Sequence, residues 1–544
     1  MRARSTEYDY IIIGAGSAGC VLANRLSADA GTRVLLIEAG GSDAHPYLRV
    51  PIGVGMLQKK RIADWMYSTV PEAELGGREL PIPRGKVAGG SSSVNYLVFT
   101  RGATADFDRW SRNGATGWAW DDVLPYFKRV ESWEGGESRV RGGSGPISVE
   151  FTRTTDPLFD AMLTAAQTAG YPVTDDYNGE QTVGFGRAQL SIGNGRRSSA
   201  WRGYVLPIRH RPNLTIVTNA LAHRVLLDGT RATGVAFSRN GTTAVATARK
   251  EVIVCGGSIN TPQLLMLSGI GPADHLREFA IEPVADLPVG NNLQDHLKVE
   301  LAWKRNGRSD FHGSMRFDRA ARNFTQAYLL GSGEGTVLPF GLHAFIKTQP
   351  ELDAPDFEIL LRGAPREARP YFPGIRAPYA DGFAVAAAIM HPESRGTIRL
   401  VSTDPRVAPA IHHNFLSAPG DIAKLRQGLR LVRAFAQQPA LDAYRGAETA
   451  PGPDLQSDAE LDAYIRATTG TVSHPIGTCK MGTDAASVLD PELRVRGISA
   501  LRVVDGSALP DLVSAHTNAC IMMMAEKAAD LIRGRDGGAR RHAG

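Results

Sequence analysis

A glycine-rich turn near the N-terminus constrains the fold of this chain more than any other feature. Residues 8–14 (YDYIIIG) form a short apolar run, as expected for a parallel strand that is buried on both faces. Gly14, Gly16 and Gly19 follow in the pattern GAGSAG, where a helix should begin. Small residues there allow a tight turn, a close approach of a pyrophosphate and close packing of helix on strand. The N–H groups at the start of that helix predict an anion site.

A second strand and an acidic residue complete this unit. Residues 33–37 (RVLLI) predict another buried strand, which ends immediately before Glu38. A carboxylate at this distance from the glycines can accept hydrogen bonds from both hydroxyls of a ribose. The unit therefore predicts a dinucleotide site for FAD or NAD, whereas the charge of Glu38 would repel the 2′-phosphate of NADP. The neighbouring residues are expected to line the same site: Ser17, Ala18 and Ala39.

Composition and charge restrict the class of protein. Single cores usually stop growing near ~250 to 300 residues, so a chain of 544 residues should contain more than one structural unit. Its 61 basic and 56 acidic residues are mixed along the sequence, which argues against a nucleic-acid surface. Arg540 and Arg541 are expected in a solvated tail. No apolar segment suits a secretory signal or a membrane span, so we expect a protein that is cytoplasmic or peripheral on the cytoplasmic membrane.

The four cysteines, Cys20, Cys255, Cys479 and Cys520, are widely spaced and show no paired metal-ligand pattern. They lie in apolar or mixed stretches, which predicts buried thiols in a reducing compartment. We predict no metal site.

Five longer segments carry a family resemblance. Residues 85–95 (GKVAGGSSSVN) and 257–271 (GSINTPQLLMLSGIG) resemble the two signatures of the glucose-methanol-choline (GMC) oxidoreductase family. Residues 473–482, 501–510 and 518–532 resemble its C-terminal segments and follow in family order. Within the family, the chain is most similar to the choline dehydrogenase-like alcohol dehydrogenases. The resemblance implies FAD as the cofactor and oxidation of an alcohol as the reaction.

The first signature suits a loop that crosses the cofactor. Gly89 and Gly90 expose backbone donors with little side-chain obstruction, although a surface linker would have the same composition. Val94 stands where some family members carry a histidine linked to the flavin, so FAD should be noncovalent here. Val225 is implied near the adenine, although by composition it is simply a strand valine. The resemblance implies further cofactor contacts: Trp65, Ser92, Asn95, Tyr96, Leu97, Val98, Asp505, Gly506 and Ala519.

The resemblance also implies two catalytic residues. Alcohol oxidation needs a base for the hydroxyl proton, and His474 matches the family's catalytic histidine; judged alone, a histidine before proline is more often structural. Asn518 matches the second polar catalytic position, and it could instead cap a helix. His516 is unusual for the family and could line the substrate cavity or make a structural hydrogen bond.

Cofactor motifs occur at the beginning, middle and end of the chain, which predicts an α/β fold with a discontinuous FAD-binding domain. The resemblance implies a Rossmann-like FAD-binding domain that is covered by an α+β substrate domain. The predicted FAD-binding segments are residues 7–155, 211–300 and 465–535. The predicted substrate-domain segments are residues 156–210 and 301–464.

The second domain should contain a strand at residues 383–390 (FAVAAAIM) and a helix at residues 421–437. Arg362 and Arg366 could recognise an acid, but we expect both at the surface. The alcohol and the oligomeric state are left open.

Several activities share these motifs. We favour a dehydrogenase that passes electrons to a quinone-like acceptor, with an oxygen-using alcohol oxidase as the alternative. The family also includes FAD-containing hydroxynitrile lyases and fatty-acid photodecarboxylases. A nicotinamide-dependent enzyme would lack the C-terminal motifs.

Overall fold

Two seven-stranded sheets organise residues 6–534, the part of the chain that this computed structural model describes. In the first sheet, the parallel strand Thr6–Ile13 lies between Val34–Ile37 and Thr242–Val254. The strands of this sheet follow in spatial order, with the last one pairing beside Thr242–Val254: Leu214–Val217, Val34–Ile37, Thr6–Ile13, Thr242–Val254, Arg231–Arg239, Ala220–Asp228 and Leu501–Val503.

The two strands predicted near the N-terminus are confirmed. Residues 8–14 fall in Thr6–Ile13, and residues 33–37 fall in Val34–Ile37. Ile11 and Ile12 point to opposite faces of the sheet and both are fully buried. The first sheet is therefore covered on both sides, which explains the continuous apolar run.

Helices cover the first sheet, and two of them join the ends of the chain. Ser17–Leu26 packs against the C-terminal helix Thr517–Ile532. Arg25 donates two hydrogen bonds, of 2.8 and 2.7 Å, to the buried carboxylate of Glu526. The hydroxyl of Tyr204 donates to the same carboxylate at 2.9 Å. A charged network thus fixes the last helix on the first.

The second sheet is antiparallel, and one of its faces packs on the helix Pro419–Ala436. The predicted strand at 383–390 and the predicted helix at 421–437 are confirmed within a few residues. The strands follow in spatial order, with the last one pairing beside Leu297–Arg305: Arg445–Ala450, Leu297–Arg305, Gly382–Ile389, Phe357–Arg362, Phe340–Ile346, Gly184–Arg187 and Gly470–Thr471.

The bounds of the five proposed domain segments stay a prediction. Strand Leu297–Arg305 of the second sheet crosses the boundary proposed between residues 300 and 301, and Gly470–Thr471 pairs with this strand from a segment assigned to the FAD-binding domain.

The remaining elements are shorter or lie around the two sheets. The other helices are Pro46–Arg49, Val54–Lys60, Thr104–Arg112, Trp120–Val130, Leu158–Thr168, Gly257–Leu267, Ala273–Glu278, Asp310–Ser314, Phe317–Leu330 and Asp458–Thr468. The other strands are Tyr67–Ser68, Pro81–Ile82, Glu131–Trp133, Ile147–Phe151, Gln189–Leu190, Ile192–Gly193, Arg196–Arg197, Ile270–Gly271, Ala285–Asp286, Thr397–Arg399 and Ala410–His412.

Two further expectations can be compared with the structure. All four cysteines are buried and free, so their predicted interior position is confirmed. Among residues 6–534, no helix combines the length and the apolar character that crossing a membrane requires. The basic tail with Arg540 and Arg541 lies outside the described residues.

Candidate active site

A cleft opens at the carboxyl ends of the parallel strands of the first sheet, where α/β folds bind their ligands. Its walls include most residues of the N-terminal motif and several from distant segments. The predicted cofactor residues that line it are Gly14, Gly16, Ser17, Ala18, Glu38, Ala39, Trp65, Gly90, Asp505 and Gly506.

The glycines let backbone segments approach one another closely around the cleft. Gly14 has φ +105°, and a Cβ there would lie 2.4 Å from the carbonyl oxygen of Cys255. A Cβ on Gly90 would lie 2.8 Å from Cα of Gly16. No side chain caps the helix Ser17–Leu26, so its first N–H groups remain available to an anion. These features fit the pyrophosphate of a dinucleotide.

Glu38 is held in place at the edge of the cleft. Its carboxylate accepts hydrogen bonds from the N–H groups of Ala15 at 2.8 Å and Gly40 at 2.7 Å. Burial raises the pKa of this carboxyl to about 7, although both N–H groups oppose that shift. The residue is thus positioned as an acceptor for ribose hydroxyls.

Five predicted cofactor residues line neither the cleft nor the adjoining cavity that is described below: Gly19, Gly89, Ser92, Val225 and Ala519. Ser92 is buried, where its hydroxyl donates to the carbonyl of Gly89 at 2.6 Å. Val225 lies in the apolar core of the first sheet. The wall that the strand of Val225 contributes is formed by residues 220–222 instead.

The cleft continues into a second space, here called the cavity, which lies beneath the second sheet. Ser17 lines both the cleft and the cavity. The structure brings six predicted residues together in the cavity wall: Asn95, Tyr96, Leu97, Val98, His474 and Asn518.

His474 is fixed by hydrogen bonds on both its backbone and its ring. Its N–H donates to Asp295 at 2.8 Å, and its Nδ1 lies 3.0 Å from Nδ1 of His296. Burial, together with the charge of His516, lowers the pKa of His474 well below its ordinary value. The ring is therefore neutral at physiological pH.

The hydrogen-bond partners determine which nitrogen of His474 is free. Nε2 of His296 lies 3.1 Å from the carbonyl oxygen of Val513, which can only accept, so this nitrogen carries the proton. Burial lowers the pKa of His296 to about 4, so its other nitrogen, Nδ1, is an acceptor. Nδ1 of His474 must then donate to it. The lone pair of His474 Nε2 is left to accept a proton.

Asn518 lies in the first turn of the helix Thr517–Ile532, but it does not cap that helix. The cap position is occupied by His516, so the N-cap alternative for Asn518 is wrong. Its Oδ1 accepts a hydrogen bond from the hydroxyl of Ser17 at 2.7 Å. Within the described chain, its Nδ2 has no partner and remains a donor at the cavity wall.

His516 combines the two roles that the sequence left open. Its ring lines the cavity 4.5 Å from that of His474, measured between centroids, and its Nε2 lies 2.7 Å from Oε1 of Glu358. Burial opposes ionisation of Glu358, but the charge and hydrogen bond of His516 keep the pKa of that carboxyl below its usual range. The donor atoms of His343, Glu358 and His516 lie within 4.8 Å of one another, a spacing that a metal ion could also bridge.

Sequence reasoning missed several polar residues of this site: His296, Lys298, Glu300, His343 and Glu358. Each lies on a strand of the second sheet or next to one. Polar residues at alternate positions of an otherwise apolar strand were the available signal.

The two arginines of the second domain have different positions. Arg362 lines the cavity and donates to Glu300 at 3.0 Å, so its expected surface position was wrong. Arg366 is exposed, as expected.

Comparison with known proteins agrees with this geometry. The GMC oxidoreductase family model matches residues 8–298 with its N-terminal part and residues 392–525 with its C-terminal part. The chain belongs to the GMC oxidoreductase family. Like its relatives, it is an FAD-dependent oxidoreductase that acts on CH–OH groups.

Similar proteins cover nearly the whole length of this family member. It is 42% identical to the oxygen-dependent choline dehydrogenase of Brucella ovis over 97% of this chain and 96% of that protein. It is 43% identical to the enzyme of the same name from Ectopseudomonas mendocina, over 98% and 95%. Pyridoxine 4-oxidase from Mesorbium loti is 30% identical, with a TM-score of 0.85 over 96% of this chain and 98% of that one. Formate oxidase from Aspergillus oryzae is 26% identical, with a TM-score of 0.89 over 98% and 99%.

Proposed function

We propose that this enzyme oxidises an alcohol to an aldehyde or ketone, with His474 accepting the hydroxyl proton at Nε2. The observation that carries the proposal is the hydrogen-bond chain from Val513 through His296 to His474. This chain fixes one tautomer and leaves the basic nitrogen in the cavity. When bound, FAD would supply the two-electron acceptor for the hydride that leaves the carbinol carbon.

Asn518 is proposed to position the alcohol. Its Nδ2 donates toward the cavity because its Oδ1 is occupied by the hydroxyl of Ser17. A donor there would orient the substrate oxygen and stabilise negative charge as the proton moves to His474. The same serine lies in the cofactor cleft, so one contact links the cofactor turn to the substrate position.

Replacing His474 with alanine tests the base. General-base catalysis contributes roughly 100- to 10,000-fold, so anaerobic stopped-flow reduction of the flavin by a primary alcohol should slow by that factor in His474→Ala. FAD content, measured by visible absorbance, should stay at the wild-type level. The exposed His210 offers a matched control, and His210→Ala should reduce its flavin normally. Normal reduction in His474→Ala would overturn the assignment.

The electron acceptor is proposed to be quinone-like, although the similar choline dehydrogenases are named oxygen-dependent. The solved pyridoxine and formate oxidases make an oxygen-using oxidase the second candidate. An oxygen electrode distinguishes them, because rapid peroxide formation with substrate favours the oxidase. Anaerobic bleaching of the flavin by an alcohol would also exclude a lyase or a photodecarboxylase as the main activity.

FAD is proposed to bind without a covalent link. The side chain of the buried Val94 has no nucleophilic atom at the position where some family members attach the flavin. Precipitation with acid should therefore release the yellow cofactor into the supernatant. Colour retained in the washed pellet would contradict this prediction.

A further inference from the structure

The cavity roof is the inner face of the second sheet. Successive residues of a strand point to opposite faces. In strand Leu297–Arg305, Leu297 and Val299 join the apolar core, so Lys298 and Glu300 face the cavity. Strand Phe357–Arg362 adds Arg362 to the same face. The sheet thus presents charged side chains to the substrate.

These charges do not balance. Within residues 6–534, the cavity is lined by three basic side chains, Arg84, Lys298 and Arg362, and by one acid, Glu300. Arg362 pairs with Glu300 at 3.0 Å. The guanidinium of Arg84 donates to two backbone carbonyls, those of Pro83 at 2.5 Å and Ser473 at 2.6 Å. The residues that line the cavity therefore include more basic than acidic side chains, and the buried carboxylate of Glu358 lies behind them, bonded to His516.

Lys298 is the basic group that lacks a protein partner. Across the described chain, its ammonium makes no hydrogen bond and no ion pair. Burial lowers the pKa of this amine because the charged form loses hydration, and the attraction of Glu300 opposes that shift only in part. A polar group in this situation is unfavourable unless a ligand satisfies it.

We propose that Lys298, with Arg362 on the same face of the sheet, binds a carboxylate of the substrate. This inference rests on the proposed function: the hydroxyl would lie at His474, and the carboxylate would lie beneath strand Leu297–Arg305. The substrate class is then a hydroxy acid whose acid group is remote from the oxidised carbon. The ammonium gains the partner that the protein does not provide.

The same lining disfavours a quaternary ammonium alcohol. Such cations are recognised by aromatic faces and by unpaired carboxylates. Among the described lining residues, the aromatic rings apart from histidine are those of Tyr96 and Phe340, which pack edge to face on each other. Glu300 is already engaged by Arg362. Choline should therefore be a poorer substrate here than a hydroxy acid of similar length.

The experiment compares charge at constant length in the holoenzyme. Anaerobic flavin reduction is measured with 4-hydroxybutanoate, its amide, 1-butanol and choline, and then with 3-hydroxypropanoate to 6-hydroxyhexanoate to find the best spacing. For the best hydroxy acid, the rate constant of flavin reduction divided by the Kd of the substrate should exceed that of its amide by about tenfold or more. This is the usual value of a hydrogen bond to a charged group. In Lys298→Met, this ratio should fall toward one. Lys304→Met is the control, because Lys304 is exposed on the same strand and outside the cavity.

A second readout does not depend on turnover. Butanoate has no hydroxyl, so its binding to the oxidised enzyme is followed by the change in flavin absorbance. Binding should weaken about tenfold or more in Lys298→Met and should be unchanged in Lys304→Met. Two results would overturn the inference while leaving alcohol oxidation intact. One is equal flavin reduction by the acid and its amide, and the other is butanoate affinity that is the same in wild type and in Lys298→Met. No reduction by any alcohol, with Lys298-dependent butanoate binding, would overturn the proposed function and support the anion site.

Discussion

The cleft and the cavity meet at Ser17, yet they are built in opposite ways. The cleft is formed largely by backbone, by Gly14 and Gly16 of the N-terminal turn and by the carboxylate of Glu38, which two N–H groups fix. The cavity is formed by side chains from strands that lie far apart in sequence, with histidines and charges that contact one another. Substitutions that change the shape of the cleft should therefore abolish most FAD binding. Substitutions that change the charges of the cavity should alter the rate and pH dependence of flavin reduction more gradually.

The largest expected effect comes from filling the cleft's glycine turn. A Cβ on Gly19 would lie 1.9 Å from the carbonyl oxygen of Gly14. This oxygen belongs to the backbone, so the clash can be relieved only by displacing the turn or the helix. Gly19→Val should purify without most of its FAD, as measured by the ratio of visible to ultraviolet absorbance. A Cβ on Gly55 meets no atom within 4 Å, so Gly55→Ala is the control and should keep its cofactor. Normal FAD content in Gly19→Val would show that the turn is more tolerant than its geometry indicates.

A smaller effect is expected from removing the charge of His516, whose ring lies beside that of His474. In wild type, burial and this charge hold the pKa of His474 well below its ordinary value, so the ring loses its ability to accept a proton only in acid. His516→Gln removes the charge. The pKa of His474 should rise, and the acid limb of flavin reduction should move to higher pH. A rise of about one unit lowers the rate on that limb about tenfold.

The matched variant for this test is His516→Asn, which removes the same charge with a shorter amide side chain. Both variants should shift the profile in the same direction and should change the rate little at pH 8. Identical profiles for wild type and both variants would break the proposed coupling between His516 and His474.

The smallest effect is expected at Glu38. Glu38→Gln keeps one oxygen for the N–H groups but loses the charge, so FAD affinity should fall about tenfold. Because burial raises the pKa of Glu38 to about 7, wild-type FAD affinity should itself weaken as the pH falls below about 7. This pH dependence should disappear in Glu38→Gln and persist in Glu79→Gln, whose side chain is exposed. A titration of released FAD between pH 6 and 8 measures both effects.

The contrast between the cleft, built from contiguous residues, and the cavity, built from distant ones, explains how much could be predicted from the sequence. Strand, glycines, helix and Glu38 are contiguous, so local sterics determined both their fold and their role. His296 and His474 are 178 positions apart, and only the folded chain brings their rings together. Glu358 lies in the mostly apolar strand Phe357–Arg362, and the sequence of this strand does not indicate which face of the sheet covers the cavity. The resemblance implied that Val225 lies near the adenine. Residues 220–222 of the same strand line the cleft, and the resemblance alone did not indicate this register.

The position of the last strand has a consequence for biosynthesis. Thr6–Ile13 pairs with Thr242–Val254, and that strand pairs in turn with Leu501–Val503. The N-terminal strand therefore leaves the ribosome long before its neighbour Thr242–Val254 has been translated. The sheet is completed only when Leu501–Val503 has emerged. Until then, the unpaired backbone N–H and C=O groups along the edges of these strands are open to other chains. Asp505 and Gly506, which line the cleft, directly follow the last strand, so the cleft is complete only after this strand has been translated.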